Sequence, residues 1–195
     1  FKPFFFDADF KYDGVSTKNL LKNDTILYEL IRSEILNNRN LSAKLSLSVQ
    51  DITNISELNK LLLKVSIQQG QIDISDSNIM WKKDLNILLD KSFIGFNDNG
   101  LNLSGKVIFN FKNIQNFYKS FQINKKFRKN ISQIIIDFDY NFEENKVRFN
   151  SVKIDGNSNT KLDNYLDEFN DSQKKLNNKI VFKNFVNLFF SNYAG

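Results

Sequence analysis

The chain has 195 residues, 41% hydrophobic and 25% charged, enough for one domain with a real core and too evenly mixed for a disordered or membrane-spanning polypeptide. It contains neither Cys nor His, which removes disulfide frameworks, thiolate nucleophiles, Cys/His zinc sites, Ser-His-Asp triads and imidazole bases. The net charge of +5 is compatible with an anionic surface but is spread along the chain.

Taken in chain order, the strongest signal is alternation of apolar and polar residues, the period of a half-solvated β-strand. It starts at Phe4 to Tyr12, and the stretch from Thr17 to Leu36 then changes to helical period, with Leu20, Leu27, Leu30, Ile31 and Ile35 on one face and Ser16 and Asp24 as N-cap candidates. From Leu41 through Ala43, Leu45, Leu47 and Val49 the apolar face is unbroken, against Ser42, Lys44, Ser46, Ser48 and Gln50 on the other. Shorter versions follow at Leu63 to Ile67, Ile72 to Ile74 and Leu85 to Leu89. After the turn residues Asn99-Gly100, a long strand runs through Leu101, Leu103, Gly105, Val107, Phe109 and Phe111.

A short helix over Ile114 to Phe121 would present Phe117 and Phe121 together. Alternation resumes at Ile134, Ile136, Phe138, Tyr140 and Phe142, and again at Val147 to Phe149, with Glu144-Asn145 between them and Asp155-Gly156 beyond. Leu162, Tyr165, Leu166 and Phe169 fit one C-terminal helix; Val181, Phe182, Phe185, Val186 and Phe189 fit another. The expected fold is mainly β with helices, an α+β domain over residues 1–195. Its long antiparallel sheet has one apolar face, with helical segments in the N-terminal third and at the C-terminus.

Candidate chemistry is sparse. Asp7 with Asp9, and Asp137 with Asp139, are i, i+2 pairs that point to one face of a strand and fit a solvated polar surface. Asp155-Gly156-Asn157-Ser158-Asn159 begins like a calcium loop, but Thr160 stands where that loop needs Gly and Leu166 where it needs Glu, so it reads as a turn. Lys125, Lys126, Arg128 and Lys129 around Phe127 could meet anionic lipid headgroups. No nucleic-acid-binding signature accompanies that run, so nucleic acid is not an expected partner. No catalytic residue, metal site or cofactor is expected. The apolar face is either a core closed by the helices or a groove open to lipid tails, and a ten-residue strand, about 33 Å long, is long enough for an acyl chain to lie along it.

Phe4-Phe5-Phe6-Asp7-Ala8-Asp9-Phe10, Asn40 to Leu47, Gly70 to Ile74 with Ile79 and Trp81, Gly100 to Gly105, and Phe182 to Asn187 together resemble the C-terminal region of AsmA-like proteins. The resemblance rests on patterns of hydrophobicity and turns over nearly the whole chain. It implies a non-enzymatic periplasmic module of a Gram-negative cell, related to bridge-like lipid-transfer proteins and tethered to the inner membrane by an anchor outside this segment. Phospholipid would be held or conducted along the sheet by Leu45, Leu47, Leu103, Phe109, Ile136, Phe138 and Tyr140, in support of outer-membrane lipid homeostasis. The rival reading is a structural module that docks outer-membrane assembly proteins, with a sheet edge as the docking element.

Overall fold

In the computed structural model, which describes residues 4–16, 38–53, 55–98, 100–172, 175, 176 and 178–195, ten strands form one sheet. They are β1 (Phe4–Val15), β2 (Leu41–Ile52), β3 (Leu58–Gln68), β4 (Gln71–Asp73), β5 (Asn78–Trp81), β6 (Leu85–Asn97), β7 (Gly100–Phe111), β8 (Gln133–Asn141), β9 (Lys146–Ile154) and β10 (Asn157–Ser158). The spatial order follows the chain, with the short strands β4 and β5 both lying between β3 and β6. Three helices, α1 (Ile114–Phe121), α2 (Thr160–Asp171) and α3 (Lys179–Ala194), and a 3-10 turn at Lys125–Phe127 complete the described elements.

The mainly β, α+β class is as the alternation predicts. The sheet is not wholly antiparallel, however: β1 pairs with β2 in parallel, Phe4 opposite Leu41 and Tyr12 opposite Val49, while the other pairs run antiparallel. Alternation on one strand fixes its faces and leaves its direction relative to its neighbour open, which is why the pattern could not reveal this. The helix expected at Thr17 to Leu36 lies outside the described residues.

Tight turns explain the hairpins. Gln69 and Gly70 at φ 53° and 81°, and Asp155 and Gly156 at φ 48° and 82°, both take the left-handed conformation that reverses a chain in two residues. Asp155 adds a tie: its carboxylate accepts from the amides of Ser132 and Gln133 at 2.9 and 2.8 Å, which binds the β9–β10 turn to the start of β8. Asparagines start all three helices, with Asn113, Asn159 and Asn178 accepting from Gln115, Leu162 and Ile180 amides.

The helices pack on one end of the apolar face, over β7, β8 and β9. There Tyr118, Leu162, Leu166 and Phe190 are fully or almost fully buried among Ile134, Ile136, Phe149, Val152 and Ile154. Phe185 stacks on Phe149 at 5.2 Å, and Phe190 meets Tyr118 edge-on at 4.9 Å. Burial pushes the Tyr118 and Tyr165 hydroxyls well above the ordinary phenol range, and each donates to a backbone carbonyl, Lys129 at 2.9 Å and Phe185 at 3.1 Å. This end is a closed core.

Candidate functional site

Following the register across the sheet places Phe4, Phe6, Ala8, Phe10 and Tyr12 of β1 on the same face as Leu41, Ala43, Leu45, Leu47 and Val49 of β2. The row continues into Leu61, Leu63, Val65 and Ile67 of β3 and, through Ile72, to Ile94 and Leu103. It is the same face that the helices close over β7 to β9, reached without a charged residue intruding.

Away from the helices the face opens. Ala43, Ile67, Ile72 and Ile74 form a small buried cluster, with Leu41, Val65, Leu89, Ile94 and Leu103 half-buried around it. Toward the edge, Leu45, Leu47, Leu61 and Leu63 are half-buried. On β1, Phe4, Phe6, Phe10 and Tyr12 are exposed by 66%, 45%, 44% and 51%. Four aromatic rings along one strand, backed by a second and third row of leucines, form a contiguous apolar surface of the kind that marks an interaction site.

The seven residues expected to face lipid therefore divide. Leu45 and Leu47 lie on the open surface, and Leu103 sits half-buried at its inner margin. Phe109, Ile136 and Phe138 do not face an open groove: they pack beneath the helices, Ile136 only 7% exposed, so their assignment is corrected to core. Sequence alternation assigns a face but cannot show which part of it three helices will cover. Tyr140 is half-buried and committed to its own neighbourhood, its hydroxyl 2.6 Å from Asn145 and its ring edge-on to Phe142. The aromatics of β1 were visible as alternation in Phe4 to Tyr12, and their prominence follows from β1 lying at the sheet's margin.

The basic run is partly structural. Arg128 is half-buried and its Nε donates to the Ile123 carbonyl at 2.9 Å, closing the 3-10 turn, while the Lys129 carbonyl receives Tyr118. Lys125, Lys126 and Lys129 are exposed, with Lys126 lying over the Phe127 ring at 4.7 Å. This run adjoins α3, at the closed end of the face, and is not on the β1–β3 strands that carry the open aromatics.

On the opposite, polar face, Asp137 pairs with Lys106 at 3.2 Å and accepts from the Ser151 hydroxyl, and Asp139 accepts from Asn150 at 2.7 Å. Partial burial pushes the Asp137 carboxyl up, but the Ser151 hydroxyl and the Lys106 ammonium outweigh it and hold the group below the ordinary carboxylate range. An acid held ionised by its partners suits a surface tie and not proton transfer. Two concavities of about 740 and 450 Å³ are lined mainly by polar residues, one between the sheet and α2 around Asp139, Arg148, Asp167 and Asp171, the other around Asp7, Lys44, Lys64 and Asp73. Both mix acids with bases, and among the described residues no His, Cys, Asp or Glu cluster is placed to hold a metal ion. Among the same residues, no helix is long and apolar enough to cross a membrane.

Compared with family models, with curated proteins and with solved structures, the chain matches none.

Proposed function

We propose that this protein holds phospholipid acyl chains on the open half of its apolar face, without enzymatic turnover, in a periplasmic setting. The observation that carries the reading is the exposed aromatic row of Phe4, Phe6, Phe10 and Tyr12 lying alongside half-buried Leu45 and Leu47. Apolar side chains left exposed in a row on one face of a sheet need a cover. An acyl chain laid along a 12-residue strand of about 40 Å meets that need over part of its length. At ~0.8 kcal/mol for each methylene buried, one long chain gains on the order of 10 kcal/mol before ordering costs. No catalytic group is required, and the AsmA-like pattern of the sequence supports the same reading.

The test is lipid extraction and mass spectrometry of the protein purified without detergent, beside a soluble control of similar isoelectric point. Near-stoichiometric phospholipid is expected, and background lipid would contradict the reading. Leu47→Gln should lose bound lipid while its circular dichroism stays that of the parent.

A further inference from the structure

The two ends of this sheet are finished differently. At the β9 end, β10 pairs with Lys153 and Ile154, and Asn170 on α2 clamps the next stretch: its amide oxygen accepts from the Phe149 amide at 2.9 Å and its nitrogen donates to the Phe149 carbonyl at 2.7 Å. A side-chain amide there imitates a neighbouring strand and blocks the edge. At the other end, β1 pairs with β2 alone among the described residues.

Phe4 donates its amide to the Asn40 carbonyl at 2.8 Å, so along the unbroken register from Phe4 to Tyr12 the even residues bond to β2. The amides and carbonyls of Phe5, Asp7, Asp9 and Lys11 consequently point outward. Of the usual guards β1 carries only charged side chains, on its polar face: no proline lies within it, its register against β2 runs without a bulge over these residues, and its apolar face carries aromatics where a guarded edge carries inward-facing charge.

We infer that the outer edge of β1 is a strand-addition site for an extended polypeptide that alternates apolar residues with Lys or Arg. Side chains on the polar face of β1 are Phe5, Asp7, Asp9, Lys11 and Asp13, three acids to one base. On its inner side Asp7 already stands opposite Lys44 of β2, which shows the pairing that this face accepts. A second copy of the chain fits poorly. In an antiparallel β1–β1 pair, the register that joins Asp7 to Lys11 sets Asp9 against Asp9, the one that joins Asp9 to Lys11 sets Asp7 against Asp13, and the one that joins Lys11 to Asp13 opposes no like charges but pairs only residues 9 to 15 and leaves Asp7 without a partner strand. Like charges directly opposite destabilise a sheet, whereas a strand with Lys or Arg at alternate positions satisfies the acids and adds its apolar side chains to the aromatic row. The inference stands apart from lipid binding, since it rests on the edge and not on the face.

The experiment uses two ten-residue synthetic peptides, alternating Val with Lys or Val with Glu, added to the protein while amide hydrogen exchange is followed. The Val/Lys peptide should slow exchange at Phe5, Asp7, Asp9 and Lys11 at least tenfold, and the Val/Glu peptide should leave it unchanged. Asp9→Pro removes an outward amide without removing a bond to β2, so it should abolish this protection with the thermal transition of the parent retained. The double variant Asp7→Lys, Asp9→Lys should reverse the preference between peptides. Equal protection by both peptides, protection confined to other residues, or a dimer by light scattering whose β1 amides are already protected would each overturn the assignment.

Discussion

The two halves of the apolar face have the same alternation and opposite fates. Over β7, β8 and β9 three helices close it, and Ile136 and Val152 become core; over β1, β2 and β3 the described helices do not reach, and Leu45, Leu47, Phe10 and Tyr12 stay accessible. An apolar side chain on a sheet thus has no fixed role of its own. The element packed above it decides whether it stabilises the fold or offers a surface.

The largest effects that would break this comparison belong to the closed half. Phe190→Ala should cost about 3–5 kcal/mol, because the ring is 2% exposed and in contact with Phe117, Tyr118 and Phe189. Leu47→Ala on the open half should cost ~1 kcal/mol or less, half-buried as it is. Denaturant unfolding of the two variants measures the contrast directly, and equal losses would mean that the open half is core as well.

Next comes Gly105→Val, expected to cost about 3 kcal/mol. In β6, Lys91 takes φ 46° and Ser92 turns inward opposite Gly105, where a Cβ would stand 2.7 Å from the Ser92 Cα and cannot be accommodated. Thermal unfolding should show the loss, and a Ser92→Gly background should relieve part of it. Asn159→Ala should cost about 1 kcal/mol by leaving the Leu162 amide at the start of α2 without its side-chain cap, measurable in the same way.

The smallest effect is electrostatic. Asp137 is held below its ordinary value of 3.8, so its ionised form favours the fold above that pH, and the contribution fades as pH falls through the lower folded value. Because both partners remain about one-third exposed, Asp137→Asn should change stability at neutral pH by ~0.5 kcal/mol or less. The difference between variant and parent should vanish in acid.

Much of this fold was legible because β2 alternates from Leu41 to Gln50 and β7 and β8 alternate apart from Ile108 and Ile135, and because Phe117 with Phe121, and Leu162, Tyr165, Leu166 and Phe169, repeat at helical spacing. What was not legible has local causes. The bulge at Lys91–Ser92 shifts the parity of β6, so Ile94 and Phe96 share a face with Leu85, Ile87 and Leu89 although no single alternation joins them. A second bulge at Asn150 separates Phe149 from Val152 and Ile154 in the same way. For the site, alternation gathered Leu47 and Ile136 onto one face correctly and could not separate them, since their difference arises from helices distant in sequence.

That separation is also where the functional account is most exposed to test. A photoreactive side chain placed at position 47 or at position 136, in protein expressed in cells and irradiated before extraction, should crosslink phospholipid at 47 and none at 136. Crosslinking at both positions, or at neither, would contradict an acyl-chain surface confined to the open half of the sheet.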